Sequence, residues 1–180
     1  MLGGYRRSGM LVLLVASSVS CTALQTAADR VASTTVDFVD ASGATRGSGL
    51  LWQDPLGVVH ADLQLVGLPP GTHGIHFHAV RRCDGDFASA GGHYNPMNRK
   101  HGLSAPDGPH AGDSPNFSAG GDGRARVQFT TDRVTLTAGP TTLADSDGSS
   151  MIVHASADDQ MTDPSGNSGA RIACGMVRAP

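Results

Sequence analysis

The sequence has few aromatic residues, little net charge and no cluster of basic residues. Aromatic side chains make up 4% of its 180 residues, and the formal net charge is −3 at pH 7. Without a basic cluster to neutralise phosphates, nucleic-acid binding has no support. Helix signals are also nearly absent, whereas turn formers are abundant, with 24 glycines and 10 prolines. These features predict a domain of short strands joined by turns.

Long apolar segments are missing except near the start of the chain. Residues 10–19 form an apolar run that is too short to cross a bilayer comfortably, and Arg6 and Arg7 precede it. This pattern is typical of a secretory signal, whereas a core helix would show a polar face. The letters SVSC, which end at Cys21, resemble a bacterial lipoprotein cleavage box. We predict a signal peptide over 1–21 with Cys21 as the candidate lipidated residue; the arginine pair also fits twin-arginine export.

Cysteine is scarce, and its count is odd. The chain has three cysteines, and an odd thiol in an exported protein needs an explanation. Lipidation of Cys21 would leave Cys83 and Cys174 to pair in an oxidising compartment. Their loop would span about 90 residues, and the chain-entropy model then predicts roughly 4–5 kcal/mol of stabilisation. The alternative, two free thiols in a cytosolic protein, is disfavoured by the predicted signal.

The rest of the chain divides into a polar segment and one domain. Residues 22–33 are small and polar without periodicity, which predicts a flexible tether. The remaining domain, 34–180, is long enough for a sizeable core. Its alternating runs predict strands at STTVDFVD, GSGLLWQD, GVVHADLQLVGL, GIHFHAV, GRARVQFTTD, SSMIVHAS and ARIACGMV, with turns at DASGAT, QDPLG and GGDG. Many short strands with such turns predict an all-β sandwich or small barrel.

Two segments depart from the strand pattern. Residues 81–116 are rich in Gly, Pro, Asn and His, and residues 158–169 read DDQMTDPSGNSG. Long irregular loops in a compact domain are usually functional or disordered. Because the first segment contains many metal-ligand residue types, we expect a metal to order it.

Histidine is plentiful, and six of the eight histidines form an ordered series with one aspartate. The series is His76, His78, His93, His101, His110, Asp113 and His154. Imidazole suits copper and zinc, while a carboxylate beside imidazoles favours zinc. Seven candidates are too many for one tetrahedral ion and suit two. The first two histidines of the series alternate on a predicted strand, so both side chains leave the same face. The sequence therefore predicts a two-metal site.

The order of the motifs points to one family. An H-x-H pair also opens the metal motif of cupins, but HAVRRCDGD lacks the Glu that cupins place a few residues later. Instead GIHFH, SAGGHYNP, KHG, PHAGD, VHASADD and GNSGARIACG, in that order, closely resemble the bacterial copper,zinc superoxide dismutase family, from about Thr35 to Val177. The resemblance implies a flattened eight-stranded Greek-key β-barrel, an Ig-like sandwich, with two long loops forming the metal site. It also implies that superoxide is the substrate and is converted to oxygen and hydrogen peroxide.

The same resemblance implies a role for each residue of the series. Copper would be bound by His76, His78, His93 and His154. Zinc would be bound by His93, His101, His110 and Asp113. His93 would serve both ions as an imidazolate, since two flanking cations favour the loss of its second proton, and it would act in catalysis as a proton source.

Further residues support this implied site. Asp158 matches the carboxylate that accepts hydrogen bonds from His76 and His101 and so links the two metals. Arg171 matches the arginine that attracts and orients superoxide. Cys83 and Cys174 match the family's disulfide.

Two histidines and the aromatic residues fall outside the series. His73 is predicted to form structural hydrogen bonds on the opposite face of the strand, and His60 is predicted to be exposed. Trp52, Phe77 and Phe129 are interpreted as barrel packing or surface residues rather than a cofactor site.

The alternative function is a non-catalytic envelope protein that binds copper and zinc on the same fold. Such a protein should lack a copper ligand or the arginine, and this chain has all of them. A copper-only dismutase is disfavoured because His101, His110 and Asp113 are present. We expect a periplasmic or cell-envelope protein, with a membrane anchor if Cys21 is lipidated. The sequence leaves monomer and homodimer open. The loop 158–169, with three acids and no Lys or Arg, predicts that substrate attraction rests mainly on Arg171 and the metals.

Overall fold

The computed structural model describes residues 29–178, which form a β-structure with one short 3₁₀ helix at Ala88–Ala90. The strands in this range are β1 (Ala32–Val39), β2 (Thr45–Gln53), β3 (Val59–Leu65), β4 (Gly71–His73), β5 (Ile75–His78), β6 (Phe117–Ala119), β7 (Ala125–Thr131), β8 (Ser150–His154) and β9 (Arg171–Val177). The predicted signal peptide and Cys21 lie outside the described residues. β1 begins inside the segment 22–33 for which we predicted a tether.

Alternation in the sequence decides which side chains enter the core. In β1, Thr34, Val36 and Phe38 are buried, and the residues between them face outward. β3 repeats the pattern, with every second residue from Val59 to Leu65 buried. A strand with period-two polarity buries one face, and each fully buried large apolar side chain such as Phe38 contributes about 1.5–3 kcal/mol. This inward face is the core of the barrel.

The strands form a curled antiparallel sheet of seven strands and a separate antiparallel pair. Seven strands are hydrogen-bonded in the order β5-β8-β9-β1-β2-β3-β7, and β4 pairs with β6. β4 and β5 are separated only by Gly74, so together they act as one interrupted strand. β6 turns directly into β7 through a tight turn in which Gly120 N–H donates to the Arg124 carbonyl over 2.9 Å. Counted this way, the described residues confirm the predicted all-β barrel of eight strands.

Aspartates build the two hairpin turns β1–β2 and β2–β3. Asp40 Oδ1 accepts hydrogen bonds from the backbone N–H groups of Ser42 and Ala44 over 2.8 and 3.0 Å. Asp54 Oδ1 does the same for the residues two and four positions later. Each turn then places a glycine, Gly43 or Gly57, at positive φ, where a side chain would be strained. The turns predicted at DASGAT and QDPLG are confirmed.

β5 and β8 differ from the other strands because all their residues are buried. Their inward side chains, such as Ile75 and Phe77, pack in the core. Their outward side chains are covered by two irregular segments, 79–116 after β5 and 155–170 after β8. The barrel therefore offers a flat, rigid surface of two strands on which both loops can assemble a site. Between residues 29 and 178 the structure has no helix of the length and hydrophobicity that a membrane span requires.

Candidate metal centre

Adjacent strands deliver three histidines to one spot. His76 and His78 leave the outer face of β5, while Ile75 and Phe77, which alternate with them, face the core. His154 is the last residue of β8. Side chains two apart on a strand project from the same face, and β5 and β8 are hydrogen-bonded neighbours. The barrel therefore fixes these three imidazoles before either loop is considered.

The first loop attaches to the free edge of β5 through its backbone. Phe77 N–H donates to the Gly112 carbonyl over 2.9 Å, and Tyr94 N–H donates to the Phe77 carbonyl over 2.8 Å. A Cβ on Gly112 would lie 2.3 Å from the Phe77 carbonyl oxygen, so only glycine allows this approach. These bonds bring His93 and Asp113, the neighbours of Tyr94 and Gly112 in the chain, against the strand.

Four imidazoles converge with free nitrogen atoms. The ligand atoms of His76, His78, His93 and His154 lie within 4.8 Å of one another. In each ring one nitrogen is buried without any hydrogen-bond partner: His76 Nδ1, His78 Nε2, His93 Nε2 and His154 Nε2. A buried, unpaired polar atom costs roughly 1–3 kcal/mol, so four of them facing one point are unfavourable unless something occupies that point. A metal ion that prefers imidazole fits this set.

The opposite nitrogen of each ring is held by the protein. His76 Nε2 lies 2.7 Å from Asp158 Oδ2, and His78 Nδ1 lies 3.0 Å from the Gly91 carbonyl oxygen. His154 Nδ1 lies 3.3 Å from a further carbonyl. Such contacts fix the tautomer and the orientation of a ligating ring.

A second set surrounds one carboxylate oxygen. Asp113 Oδ1 lies 2.9, 3.0 and 3.3 Å from the Nδ1 atoms of His93, His101 and His110. Zinc–nitrogen bonds of about 2.0–2.1 Å in a tetrahedron place ligand atoms about 3.3 Å apart. The three imidazoles and one carboxylate therefore have the spacing and the chemistry of a closed zinc site. His93 belongs to both sets, with Nδ1 on this side and Nε2 on the other.

Asp158 links the two sets. Its carboxylate lies 2.7 Å from His76 Nε2 and 3.0 Å from His101 Nε2. The backbone of Asp158 is held by Asn116, whose side-chain amide both accepts from its N–H and donates to its carbonyl, over 2.8 and 2.7 Å. Gly166 covers this contact, and a Cβ there would lie 1.7 Å from Asp158 Oδ1.

The protonation states suit metal binding on the side of the free nitrogens. Burial lowers the pKa of His93 to about 4 and that of His154 to about 3, so both rings are neutral at pH 7. Burial also lowers the pKa of His101, but hydrogen bonds to Asp113 and Asp158 outweigh it and raise the pKa to about 9. Both ring nitrogens of His101 therefore carry a proton at pH 7 in the metal-free protein. A metal that binds Nδ1 must displace the proton on that nitrogen.

Arg171 stands at the mouth of the site. It is the first residue of β9 and is paired in the sheet with His154. Its Nη1 and Nη2 donate to the carbonyls of Phe87 and Gly91 over 2.5 and 2.7 Å. An open cavity of about 370 Å³ is lined by Arg171 together with His78, His93 and other residues of both loops. The guanidinium is thus a fixed positive charge beside the free imidazole nitrogens.

The sequence of the chain matches a known family whose members bind copper and zinc. Residues 35–177 match the family model described as copper/zinc superoxide dismutase. The chain belongs to the copper/zinc superoxide dismutase family. Its activity is superoxide dismutation, and its metals are copper and zinc.

Individual relatives support the assignment. A copper-zinc superoxide dismutase of Aquifex aeolicus is 42% identical over 148 residues, which cover 81% of this chain and 87% of the relative. One from Caulobacter vibrioides is 41% identical over 76% of this chain and 80% of its own length. Among solved structures, a superoxide dismutase-like protein from Bacillus subtilis has a TM-score of 0.76 at 38% identity, covering 81% of this chain and 98% of that one.

The disulfide predicted for the dismutase is present. Cys83 and Cys174 are bonded across 91 residues of sequence. Cys174 packs with Phe87, Ala90 and Ile152 in a small buried cluster beside β9. The disulfide therefore ties one part of the first loop to the barrel, and the carbonyls of that part hold Arg171.

The two remaining histidines of the dismutase lie elsewhere. His73 is buried on β4, and its ring nitrogens each lie 2.8 Å from a carbonyl oxygen, those of His154 and Pro69, which confirms the structural role. The prediction that His60 is exposed was wrong. Its side chain is only 21% exposed because the ring stacks on Trp52 at 4.9 Å and lies 2.9 Å from Asp54.

Some residues of the centre were not identified from the sequence. The Gly91 carbonyl contacts both His78 and Arg171, and Asn116 holds Asp158. For Gly91 the sequence did offer a signal, the pair of glycines before His93. Such a pair indicates an unusual backbone conformation, and Gly91 indeed adopts a positive φ of 76°. Asn116 lies in an irregular segment, where an amide carries no signature of its distant partner.

Proposed function

We propose that the four-imidazole set binds copper and the three-histidine, one-carboxylate set binds zinc, with His93 bridging them as an imidazolate. The observation that carries the proposal is the convergence of four buried nitrogens without partners, each on a ring whose other nitrogen is engaged. Imidazoles alone suit copper, and a hard carboxylate favours zinc. An imidazole between two cations loses its second proton readily because each positive charge favours the anion.

The reaction converts two superoxide anions and two protons to oxygen and hydrogen peroxide. Bound copper supplies the one-electron redox chemistry. The chain supplies the attraction of the substrate: Arg171 is held by two carbonyls with its charge at the cavity mouth. A guanidinium in a confined site attracts and orients a small anion better than one in open water, because the local dielectric is lower.

His93 would provide one of the two protons beside the substrate, and the second would come from solvent. Its Nδ1 faces Asp113 and its Nε2 faces the cavity side without a partner. A proton held at Nε2 while that nitrogen is not bound to copper would lie within the site, close to the position that Arg171 prepares for the anion. Zinc bound at Nδ1 would keep the ring oriented and would lower the pKa of the Nε2 proton below that of a neutral imidazole, so that this proton can be given up more readily.

Location in the cell envelope completes the proposal. The segment over 1–21 has the pattern of a signal peptide, Cys21 is the candidate lipidated residue, and the disulfide suits an oxidising compartment. Mass spectrometry of the mature N-terminus after expression in a bacterium with lipoprotein processing tests this part. A mature chain that begins at Cys21 with added acyl mass supports the anchor, and an uncleaved Met1 contradicts export.

The alternative is an envelope protein that binds the same metals without catalysis, and a superoxide dismutase-like protein is among the relatives. Purified protein loaded with copper and zinc should dismute superoxide. His93→Gln should lose both the activity and the spectroscopic coupling between the metals. His60→Gln is the matched control, because the ring of this histidine lies against Trp52 and Asp54, on β2 and the turn after it, and belongs to neither metal set. Loaded wild-type protein that binds both metals and leaves superoxide untouched would favour the binding protein.

A further inference from the structure

Asp113 is held from every side, and one of its contacts comes from outside the first loop. Oδ2 accepts from the backbone N–H groups of Gly102 and His110 over 2.8 and 2.9 Å. Its carbonyl oxygen accepts from Arg133 Nη2 over 2.7 Å. In the described part of the chain, the carboxylate and the backbone N–H of Asp113 have hydrogen-bond partners only within the segment 79–116. The bond from Arg133 is the one that reaches it from the barrel.

Arg133 itself is anchored on rigid structure. It lies two residues after the end of β7, and its N–H donates to Thr131 Oγ1 over 3.2 Å. The following Val134 and Leu136 are 0% and 3% exposed in the main core. Its backbone therefore moves with the barrel, and its side chain reaches across to the loop.

This placement is costly for a cation. The Nε atom of Arg133 is buried without a hydrogen-bond partner, and an apolar side chain of similar size would avoid that desolvation. Packing alone does not explain a guanidinium here. Within the described part of the chain, the guanidinium donates one hydrogen bond, to the residue whose carboxylate gathers three imidazoles. A ligand-orienting role therefore accounts for the charge and the position together.

We propose that Arg133 is a positioning residue that fixes Asp113 and so pre-forms the zinc site in the metal-free protein. This inference rests on the assignment of zinc to that site. Contacts that orient a ligand typically change metal affinity by about 10–100-fold when removed. Because Arg133 has no hydrogen bond to any of the four imidazoles of the other set in the described residues, copper affinity should stay unchanged when Arg133 is replaced.

The test compares Arg133→Met and Arg133→Lys with the wild type in the full-length, disulfide-bonded protein. Chelator competition measures zinc affinity in copper-free protein and copper affinity in zinc-free protein. We expect Arg133→Met to weaken zinc binding about 10–100-fold with unchanged copper binding, and Arg133→Lys, which keeps a charged donor, to weaken it less. Arg126→Met is the matched control, since Arg126 sits on β7 but pairs with Asp62 on the exposed outer face.

The outcomes distinguish a failure of the zinc assignment from a failure of the role proposed for Arg133. Wild-type protein that binds no zinc contradicts the proposed function itself. Wild-type zinc binding with unchanged affinity in Arg133→Met, or an equal loss of zinc and copper, overturns the role of Arg133 alone. If Arg133→Met does not fold, Arg133→Lys decides. A weaker zinc affinity in that variant supports the role of Arg133, because a flexible ammonium holds the Asp113 carbonyl less firmly than a planar guanidinium does, and wild-type zinc affinity overturns it.

Discussion

Substitution of Gly166 by alanine tests whether the Asp158 link between the two metal sets depends on a missing side chain. The added Cβ would lie 1.7 Å from Asp158 Oδ1 and 2.7 Å from His101 Nε2. A carbon–oxygen contact requires about 3.3 Å, so the carboxylate must retreat by roughly 1.6 Å. Bonds of 2.7 Å to His76 and 3.0 Å to His101 do not survive such a shift.

The backbone adds a second, separable effect. Gly166 has φ +63°, where alanine costs about 1–2 kcal/mol. For a domain of this size that strain lowers the melting temperature by roughly 2–8 °C. Gly43 measures the strain alone, because it has φ +83° and its Cβ would meet no atom within 4 Å.

The assay is metal affinity by chelator competition beside thermal melting of the metal-free proteins. Gly43→Ala should melt lower than wild type and bind both metals normally. Gly166→Ala should melt lower still and bind copper and zinc about 10–100-fold more weakly, because Asp158 orients one ligand of each set. Equal melting and equal metal affinity in the two variants would refute the idea that this glycine makes room for the link.

Three further results are expected. Replacing Cys83 and Cys174 together by alanine should lower the unfolding free energy of metal-free protein by ~4 kcal/mol in urea titrations, since the bond closes a long loop. Metal-free protein should melt at lower temperature as pH falls from 6.5 toward 3, because the pKa of His154 is about 3 when folded and near 6.5 when unfolded, so the unfolded chain takes the proton first. Lys100→Gln should slow dismutation about twofold at low ionic strength and much less at high salt, since it leaves uncompensated the charge of Asp163, the neighbour of the cavity-lining Pro164. Asp163→Asn should act in the opposite direction.

The sequence was sufficient for seven of the nine strands in the described residues and for the candidate ligands that the structure brings together; the three-residue strands β4 and β6 were missed. Period-two alternation predicts that Val36 and Phe38 face the core, and this prediction needs no knowledge of the neighbouring strands because the pattern lies within β1 itself. The candidate ligands could be named because their residue types bind copper and zinc and because they recur in one ordered series of motifs. His76 and His78 even disclosed their common face through their spacing.

The parts that escaped prediction depend on distant contacts. The partners of Arg171 are the carbonyls of Phe87 and Gly91, separated from it by 84 and 80 positions in the chain. Every residue has a carbonyl, so nothing in the letters marks these two. His60 was misjudged for a related reason, because its burial comes from the ring of Trp52 on the neighbouring strand.

The acids of the second loop change meaning once their contacts are known. By composition, three acids without a basic residue predicted a loop that does little to attract an anion. Asp158 is turned inward onto imidazoles, and Asp159 accepts hydrogen bonds that close its own turn. Asp163 lies 2.8 Å from Lys100 Nζ, a lysine supplied by the other loop. Since Asp158 faces imidazoles and Asp163 pairs with a lysine, these two charges should oppose superoxide less than the number of acids suggests, and we expect Arg171, which lines the cavity, to be the dominant charge that the anion meets.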